Sequence, residues 1–164
     1  MGRPRSLTPG RDGRLVTLRA ARDDDIALIQ EWRNDADAVR VSATARPVSN
    51  VEHARWFATV LSDPDRHLWI AEDHGVPVGQ VRVDIDGDAG VFSIAVAPGK
   101  RGRGIGQAML RGALTEVVRE RLATRVTALA REDNAASIRA FEQVGFTRRG
   151  LTDDGFVVLE LALG

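Results

Sequence analysis

Hydrophobic and polar residues alternate in several short segments of the chain, and this two-residue period predicts β-strands. The clearest example is the segment 77–86, in which Val81, Val83 and Ile85 lie on one face and polar side chains lie on the other. Further strands are predicted at residues 14–20, 67–73, 89–98, 126–130, 146–150 and 156–163. The pattern therefore indicates about seven strands.

Apolar residues recur at helical spacing in four other segments, residues 23–35, 49–61, 105–122 and 134–145. Ser49 and Glu52 form a capping box at the start of the second of these helices. Residues 41–49 fit neither period and are predicted to form an irregular loop. The order β-α-α-β-β-β-α-β-α-β-β, without a repeat or an internal linker, indicates a single α/β (α+β) domain over residues 14–164. Residues 1–13, rich in Pro, Gly and Arg, are predicted to form a flexible tail.

Composition narrows the classes of function. Lys plus Arg and Asp plus Glu both number 23, so no net charge favours binding to nucleic acid or to an anionic membrane. The sequence contains no cysteine, which excludes disulfides, thiolate metal ligands and a cysteine nucleophile. Residues 1–13 lack the apolar core of a secretory signal, and no spacing of His, Asp and Glu fits a metal site. We therefore expect a cytoplasmic protein without a metal, either a monomer or a homodimer.

The segment 99–106, GKRGRGIG, lies between a predicted strand and a predicted helix. A phosphate-binding P-loop would need a lysine and a hydroxyl residue directly after Gly104, and a dinucleotide-binding motif would need a glycine at Gln107 or Met109; neither requirement is met. Glycines at the start of a helix still present several backbone N–H groups and the positive end of the helix dipole to an anion. The alternative is a tight turn with solvated arginines.

A second segment, NAASIRAFEQVGF at residues 134–146, predicts a capped helix that ends at a glycine before a strand. Together the two segments resemble the GNAT superfamily of acetyl-CoA-dependent N-acetyltransferases. The first signature of that family, R/Q-x-x-G-x-G/A, is matched by Arg101, Gly104 and Gly106, and the second, N-x-x-A/S-x-x-x-Y/F-x-x-x-G-F, is matched by Asn134, Ser137, Phe141, Gly145 and Phe146. The resemblance in element order covers about residues 14–162.

The resemblance implies a GNAT fold, with a central mixed, mostly antiparallel, twisted sheet of about seven strands flanked by about four helices. It also implies acetyl-CoA as the cosubstrate. Backbone groups of Ile94, Ala95 and Val96 would pair with the pantetheine arm like an added strand, and an N–H near Val96 would stabilise the oxyanion. The pyrophosphate would bind near Arg101 and to the amides of Gly102, Arg103, Gly104, Ile105, Gly106 and Gln107. Asn134 would hydrogen-bond the arm near the thiol, and the helix carrying Ser137 and Phe141 would flank the sulfur.

Many members of the family have a tyrosine at the position of Phe141, as general acid for the leaving thiolate, but this chain contains no tyrosine. A thiol with a pKa of about 8.5 leaves as thiolate at pH 7 at a cost of roughly 2 kcal/mol, which a helix N-terminus or a bound water could offset. Deprotonating a lysine amine at pH 7 costs about 4.6 kcal/mol, against about 1 kcal/mol for an α-amine. We therefore expect an acceptor amine of low pKa that attacks the thioester directly.

The identity of the acceptor stays open between a small-molecule amine and a peptide amine. The segments EWRND, EHARWF, WIAED and PVGQVRVD resemble acetyltransferases of amino-sugar nucleotides. Ribosomal-protein N-terminal acetyltransferases share the second signature, but they typically carry a glutamate and a tyrosine where this chain has Leu129 and Phe141. A non-catalytic acyl-CoA-binding sensor that has lost its acid is a further alternative, favoured by Phe141.

The polar face of the segment 77–86 provides candidates for the acceptor site. Gln80 and Arg82 are predicted to bind the acceptor. Asp84 on the same segment and Ser93 on the next strand are predicted to act in catalysis. The alternative is that this row is a solvated sheet face. The first two predicted helices offer further residues that would line an acceptor pocket or pack in the core: Trp32, His53 and Trp56.

Overall fold

A computed structural model of the chain describes residues 6–9 and 15–164, and in it eight strands form one sheet in the order β1-β2-β3-β4-β5-β6-β8-β7. The strands are β1 (Ser6–Pro9), β2 (Leu15–Ala20), β3 (Arg66–Asp73), β4 (Val76–Asp86), β5 (Ala89–Val96), β6 (Arg125–Arg131), β7 (Thr147–Leu151) and β8 (Phe156–Ala162). The α-helices of the described chain are α1 (Ile26–Asn34), α2 (Ala36–Val41), α3 (Asn50–Ser62), α4 (Ile105–Arg119) and α5 (Ala135–Gln143), and a 3-10 turn at Asp23–Asp25 precedes α1.

The predicted fold class is confirmed, because the sheet is mixed and its strands pair antiparallel except for β5 and β6. The seven predicted strands correspond to β2 through β8. The predicted flexible tail over residues 1–13 needs correction at residues 6–9, because their backbone pairs with β2 as strand β1. The other residues of that segment lie outside the described part of the chain. Helix α2 was not predicted either; it buries no residue, so the sequence carries no apolar period there.

Helices cover both faces of the sheet, and side chains that alternate along β3 pack against different helices. Leu68 and Ile70 pack with α1 and α3 in one hydrophobic cluster, whereas Ala71 packs with α4 and α5 in the other. Helix α4 forms the centre of the larger cluster, since Met109 and Leu110 are completely buried there. Polar residues on the α1/α3 side of β4 are therefore enclosed between the sheet and these two helices.

Strands β5 and β6 separate part of the way along their length, and this separation positions the site. Their parallel pairing runs from Ala89 opposite Arg125 to Phe92 opposite Ala128. Both strands then continue, but no further pairs form between them. The other edge of β5 stays paired with β4 as far as Val96. A wedge-shaped gap therefore opens beside the last four residues of β5.

Candidate active site

The backbone of β5 presents unpaired groups to the gap between β5 and β6. Ala97 N–H donates to the Val78 carbonyl (2.8 Å), and the register continues without a shift along β4 and β5. Hydrogen-bonded and non-hydrogen-bonded pairs alternate in an antiparallel ladder. Ala95 therefore bonds to β4, while the N–H and C=O groups of Ile94 and Val96 point toward the gap. These are the groups that an extended ligand could pair with as a strand.

A cavity of about 860 Å³ occupies the gap and extends between α1, α3, α4 and α5. Most residues predicted to bind the cofactor or the acceptor lie on its wall: Gln80, Arg82, Ser93, Ile94, Ala95, Val96, Arg101, Gly102, Gly104, Ile105, Gly106, Gln107, Asn134, Ser137 and Phe141. Arg103 and Asp84 are not among the lining residues. The two sequence signatures, which are about 30 residues apart in the chain, thus face one common space.

The backbone of the glycine-rich segment turns directly into the N-terminus of α4. Gly102 and Gly104 have φ angles of 80° and 75°, a left-handed conformation that favours glycine. Gly104 is the N-cap of α4, where no side chain caps the helix, and Ala108 N–H makes the first helical bond back to it. The N–H groups of residues 105–107 consequently have no partner within the helix. They point out of the N-terminus of α4, toward the cavity that these residues line.

Arg101 ties this segment to α2 at the mouth of the cavity. Its Nη2 lies 3.1 Å from Asp35 Oδ2, and its Nη1 lies 3.3 Å from Asp37 Oδ2. The hydrogen bond from Arg101 holds the pKa of the Asp35 carboxyl below its ordinary value. Asp35 also caps α2 by accepting from Ala38 N–H. Arg101 therefore links the glycine-rich segment to a helix on the opposite wall.

The second signature builds the wall formed by α5. Asn134 caps α5, since its Oδ1 accepts from Ser137 N–H at 3.3 Å. Gln107 on α4 donates to Gln143 on α5, which fixes the two helices against each other. Phe141 is buried but also reaches the cavity, and its ring packs edge-on against Phe146 with 5.0 Å between centroids. A phenylalanine offers no hydroxyl here, so the wall lacks an acid at this position.

The polar row of β4 lies on the opposite wall. Arg82 is directly across from Ser93 on β5, and Gln80 is across from Ala95, so all four side chains share one face. The Arg82 guanidinium lies 5.3 Å from the ring of Trp56 on α3, which is a cation–π contact. Its Nε lies 3.1 Å from Asp84 Oδ1. Asp84 is therefore placed behind Arg82 as its ion-pair partner and does not reach the cavity.

The aromatic candidates on the first two predicted helices contribute both to the protein interior and to the wall of the cavity. Trp32 and His53 are buried, and both, with Trp56, line the cavity. His53 Nε2 lies 2.7 Å from the Ile26 carbonyl. Because a carbonyl only accepts, Nε2 carries the proton, and the lone pair of the neutral ring is on Nδ1.

Arg33 on the cavity wall was not predicted, and it is a partly buried arginine that has no carboxylate partner among the described residues. Its Nη2 donates to Thr44 Oγ1 at 3.1 Å, while its Nη1 is buried and has no hydrogen-bond partner among the described residues. Burial, followed by repulsion from Arg46, lowers the pKa of Arg33, and Glu52 opposes this in part. Arg33 lies in the segment EWRND, but no role was predicted for it there, and the packing of the 42–49 segment against α1 reveals its environment.

A second, smaller cavity of about 360 Å³ continues the first beyond the point where β5 and β6 separate. The two share Val41, Phe92, Ser93 and Leu129. Beyond Leu129 the smaller cavity is lined by residues of the β7–β8 turn, including Asp154. Open space therefore continues past Ser93 on the side that is opposite the glycine-rich segment.

Two features are absent from the described part of the chain. No group of three or more His, Cys, Asp and Glu residues is placed to hold a metal ion. Among the same residues, no helix has the length and apolar character needed to cross a membrane.

Comparisons with known proteins agree on one family. The chain matches the model of the Acetyltransferase (GNAT) family over residues 26–146. It is 27% identical over 158 residues to aminoglycoside N(6')-acetyltransferase type 1 of Klebsiella pneumoniae, covering 85% of this chain and 79% of that relative. It is 30% identical over 146 residues to peptidyl-lysine N-acetyltransferase YjaB of Salmonella typhimurium, covering 85% and 90%. The structure of spermidine N-acetyltransferase from Vibrio cholerae with CoA and spermine shares the fold at a TM-score of 0.80, with 18% identity and coverage of 90% and 95%.

Proposed function

Because this chain belongs to the GNAT family of acetyltransferases, we propose that it transfers the acetyl group of acetyl-CoA to a primary amine of low pKa by direct attack. The observation that carries the proposal is the gap between β5 and β6. It places the free backbone edge of Ile94–Val96 and the uncapped N-terminus of α4 on one cavity. An acyl donor with an extended arm and a pyrophosphate needs this combination.

The residues present fit acetyl-CoA. The N–H groups at the start of α4 and the side chain of Lys100, which lines the cavity beside them, suit the pyrophosphate. The gap-facing groups of Ile94 and Val96 suit the amides of the pantetheine arm. Gly106 borders a passage between β5 and α5, and its missing side chain keeps this passage narrow but open. A Cβ at position 106 would lie 3.6 Å from Ala140 Cβ and 3.7 Å from the side chains of Ile94 and Val96.

The bound thioester supplies an activated acetyl group: its carbonyl carbon bonds to the amine nitrogen, the C–S bond breaks, and one amine proton ends on the released thiol. Val96 N–H faces the gap and is the proposed donor to the carbonyl oxygen. Phe141 cannot protonate the thiolate, so a water supplies the proton, and the start of a helix can stabilise the thiolate before it is protonated. The reaction is therefore efficient only for an amine whose deprotonation near pH 7 costs little free energy.

For the acceptor we propose a small molecule, with amino sugars as the leading class. Sugar amines have low pKa values because the neighbouring C–O bonds withdraw electrons. The wall formed by Gln80, Arg82 and Trp56 combines an aromatic ring with hydrogen-bonding groups, which suits a sugar. Relatives named for aminoglycosides and for lysine show that the family accepts both small-molecule and protein amines.

The test is release of free thiol from acetyl-CoA with a panel of amines at pH 7 and 8.5. The panel contains amino sugars, amino-sugar nucleotides, an aminoglycoside, N-terminal peptides and lysine peptides. We expect turnover with sugar amines at pH 7 and little with lysine peptides. Efficient acetylation of lysine peptides at pH 7 would contradict the low-pKa argument. Binding of acetyl-CoA without turnover of any amine would favour the sensor alternative. The variant Gly106→Leu, which fills the passage, is the control for reactions outside the site.

A further inference from the structure

The charge on the cavity wall differs from the charge of the chain. The whole sequence contains equal numbers of basic and acidic residues, yet eight residues of the cavity wall are basic and two, Asp37 and Glu52, are acidic. The phosphates of CoA account for the basic residues beside the glycine-rich segment, Lys100 and Arg101. The remaining basic residues need another explanation.

Several of the remaining cations have carboxylate partners on the protein. Arg46 lies 3.1 Å from Glu52, and Arg40 lies 3.2 Å from Asp133. Arg82 is held between Asp84 and the Trp56 ring. For Arg33, no carboxylate of the described residues lies within ion-pair distance, and its buried Nη1 has no hydrogen-bond partner among them. Among the arginines of this wall that are not exposed, Arg82 and Arg131 have carboxylate partners, so Arg33 is the one left without an anion among the described residues.

Leaving a half-buried guanidinium unpaired is unfavourable. Burial and the neighbouring Arg46 both lower the pKa of Arg33, so its surroundings oppose the charge that it carries. A guanidinium cannot lose its proton near neutral pH, so the cost persists until an anion arrives. Carboxylate and phosphate oxygens match the paired N–H groups of arginine and bind them in two parallel hydrogen bonds.

We propose that the acceptor carries a carboxylate or a phosphate in addition to its amine, and that Arg33 binds this anionic group. The proposal rests on the proposed function, because it assigns the acceptor of the same cavity. Arg33, at the end of α1, and Arg82, on β4, both belong to the wall opposite α4 and α5. An anion there leaves the gap beside β5 free for the thioester. A polyamine or an aminoglycoside, with several positive charges, would instead be repelled by this wall.

The first test compares amines that differ only in the anionic group. Glucosamine is the uncharged reference, glucosamine 6-phosphate and UDP-glucosamine carry phosphates, and 2-amino-2-deoxyglucuronic acid carries a carboxylate; tobramycin is the polycation. We expect the KM of the best anionic amine to be about 10- to 100-fold below that of glucosamine, the range of one charged hydrogen-bonded pair. Binding to the CoA-loaded protein is measured by calorimetry as well, so that the result does not depend on turnover.

Variants then assign the effect to Arg33. Arg33→Gln should raise the KM of the anionic amine about 10- to 100-fold and leave that of glucosamine within about threefold, while Arg33→Lys should retain part of the preference. Arg55→Gln is the matched control, because Arg55 is an exposed arginine of α3 that does not line the cavity. Equal affinity for charged and uncharged amines, a preference for tobramycin, or an equal loss with both amines in Arg33→Gln would overturn the anion proposal. Anion binding at Arg33 without turnover of any amine would instead overturn the proposed function.

Discussion

Substitution of Gly79 by alanine should damage cofactor binding through the backbone of β5. A Cβ at position 79 would lie 2.7 Å from the Ala95 carbonyl oxygen, 2.8 Å from Met109 Sδ and 3.1 Å from Met109 Cε. Met109 is completely buried under the sheet and has little room to move. The carbonyl belongs to the strand segment that borders the gap. Relief of the clash therefore has to shift β5 where Ile94 and Val96 face the cofactor.

The size of the effect follows from these contacts. Overpacking of a well-filled core costs about 1–3 kcal/mol. In a domain of this size each kcal/mol lowers the Tm by roughly 2–4 °C, so a decrease of about 2–12 °C is expected. Displacing the edge of β5 weakens one or two backbone hydrogen bonds to the pantetheine arm, each worth about 0.5–1.5 kcal/mol. The Kd for CoA should therefore rise about 2- to 13-fold for the loss of one such bond.

Gly90→Ala is the matched control. Its Cβ would lie 2.9 Å from Val83 Cγ2 and 3.1 Å from Ile85 Cδ1, so it overpacks the same sheet at a position away from the gap. Scanning calorimetry and titration of CoA measure both properties for each variant. Both should lose stability, and only Gly79→Ala should lose affinity. A normal Kd for CoA in Gly79→Ala, or an equal loss in Gly90→Ala, would refute the assignment of β5 as the cofactor edge.

Three other substitutions separate binding from stability. Gly106→Ala makes only ordinary contacts and gains helix propensity of up to about 1 kcal/mol, so its Tm should be equal or higher while its Kd for CoA rises; unchanged affinity would contradict the narrow passage. Arg101→Gln breaks exposed ion pairs with Asp35 and Asp37, so its Tm should stay close to that of the wild type, while the KM for acetyl-CoA rises; a normal KM would place Arg101 in a purely structural role. Asp25→Asn breaks the buried pair with Arg19 (2.7 and 2.8 Å) and should cost about 3 kcal/mol at pH 7 in urea unfolding. Burial would raise the pKa of Asp25, but hydrogen bonds from Arg19 and from the Arg22 N–H outweigh it and hold the pKa below its usual value. The ionised Asp25 thus stabilises the fold above about pH 4, and this stabilisation is lost as the pH falls through the lower pKa of Asp25 in the folded state. If the stability of the wild type and that of Asp25→Asn fell in parallel with decreasing pH, this explanation would be contradicted.

Local patterns in the sequence were sufficient for most of the fold, and most of the residues that they predict to bind the cofactor line one cavity. Alternation in β4 and β5 and the helical period of α4 follow from burial on one face, which each segment records by itself. The two signatures record backbone requirements, such as the left-handed Gly104 and the capping Asn134, so they predict a shared site without any knowledge of packing. The likeness to known acetyltransferases then supplies the reaction.

The acceptor half depends on contacts between distant segments, which no local pattern contains. The sequence placed Arg82 and Asp84 in one polar row, but only the structure shows that Asp84 pairs with Arg82 and lies off the cavity wall. Arg33 looks like an ordinary surface arginine until Thr44 and Arg46 pack around it. Strand β1 has only four residues and depends on pairing with β2, so its own residues give no strand pattern.

The central claim is direct transfer from acetyl-CoA to an amine within one cavity, and initial rates with both substrates varied test it most directly. The rate of thiol release is measured at several fixed concentrations of the best amine while acetyl-CoA is varied. Intersecting double-reciprocal lines, with no thiol release when the amine is omitted, are the predicted result, because both substrates must be bound before the C–N bond forms. Parallel lines, with a burst of thiol and an acetylated protein in the absence of amine, would contradict the claim.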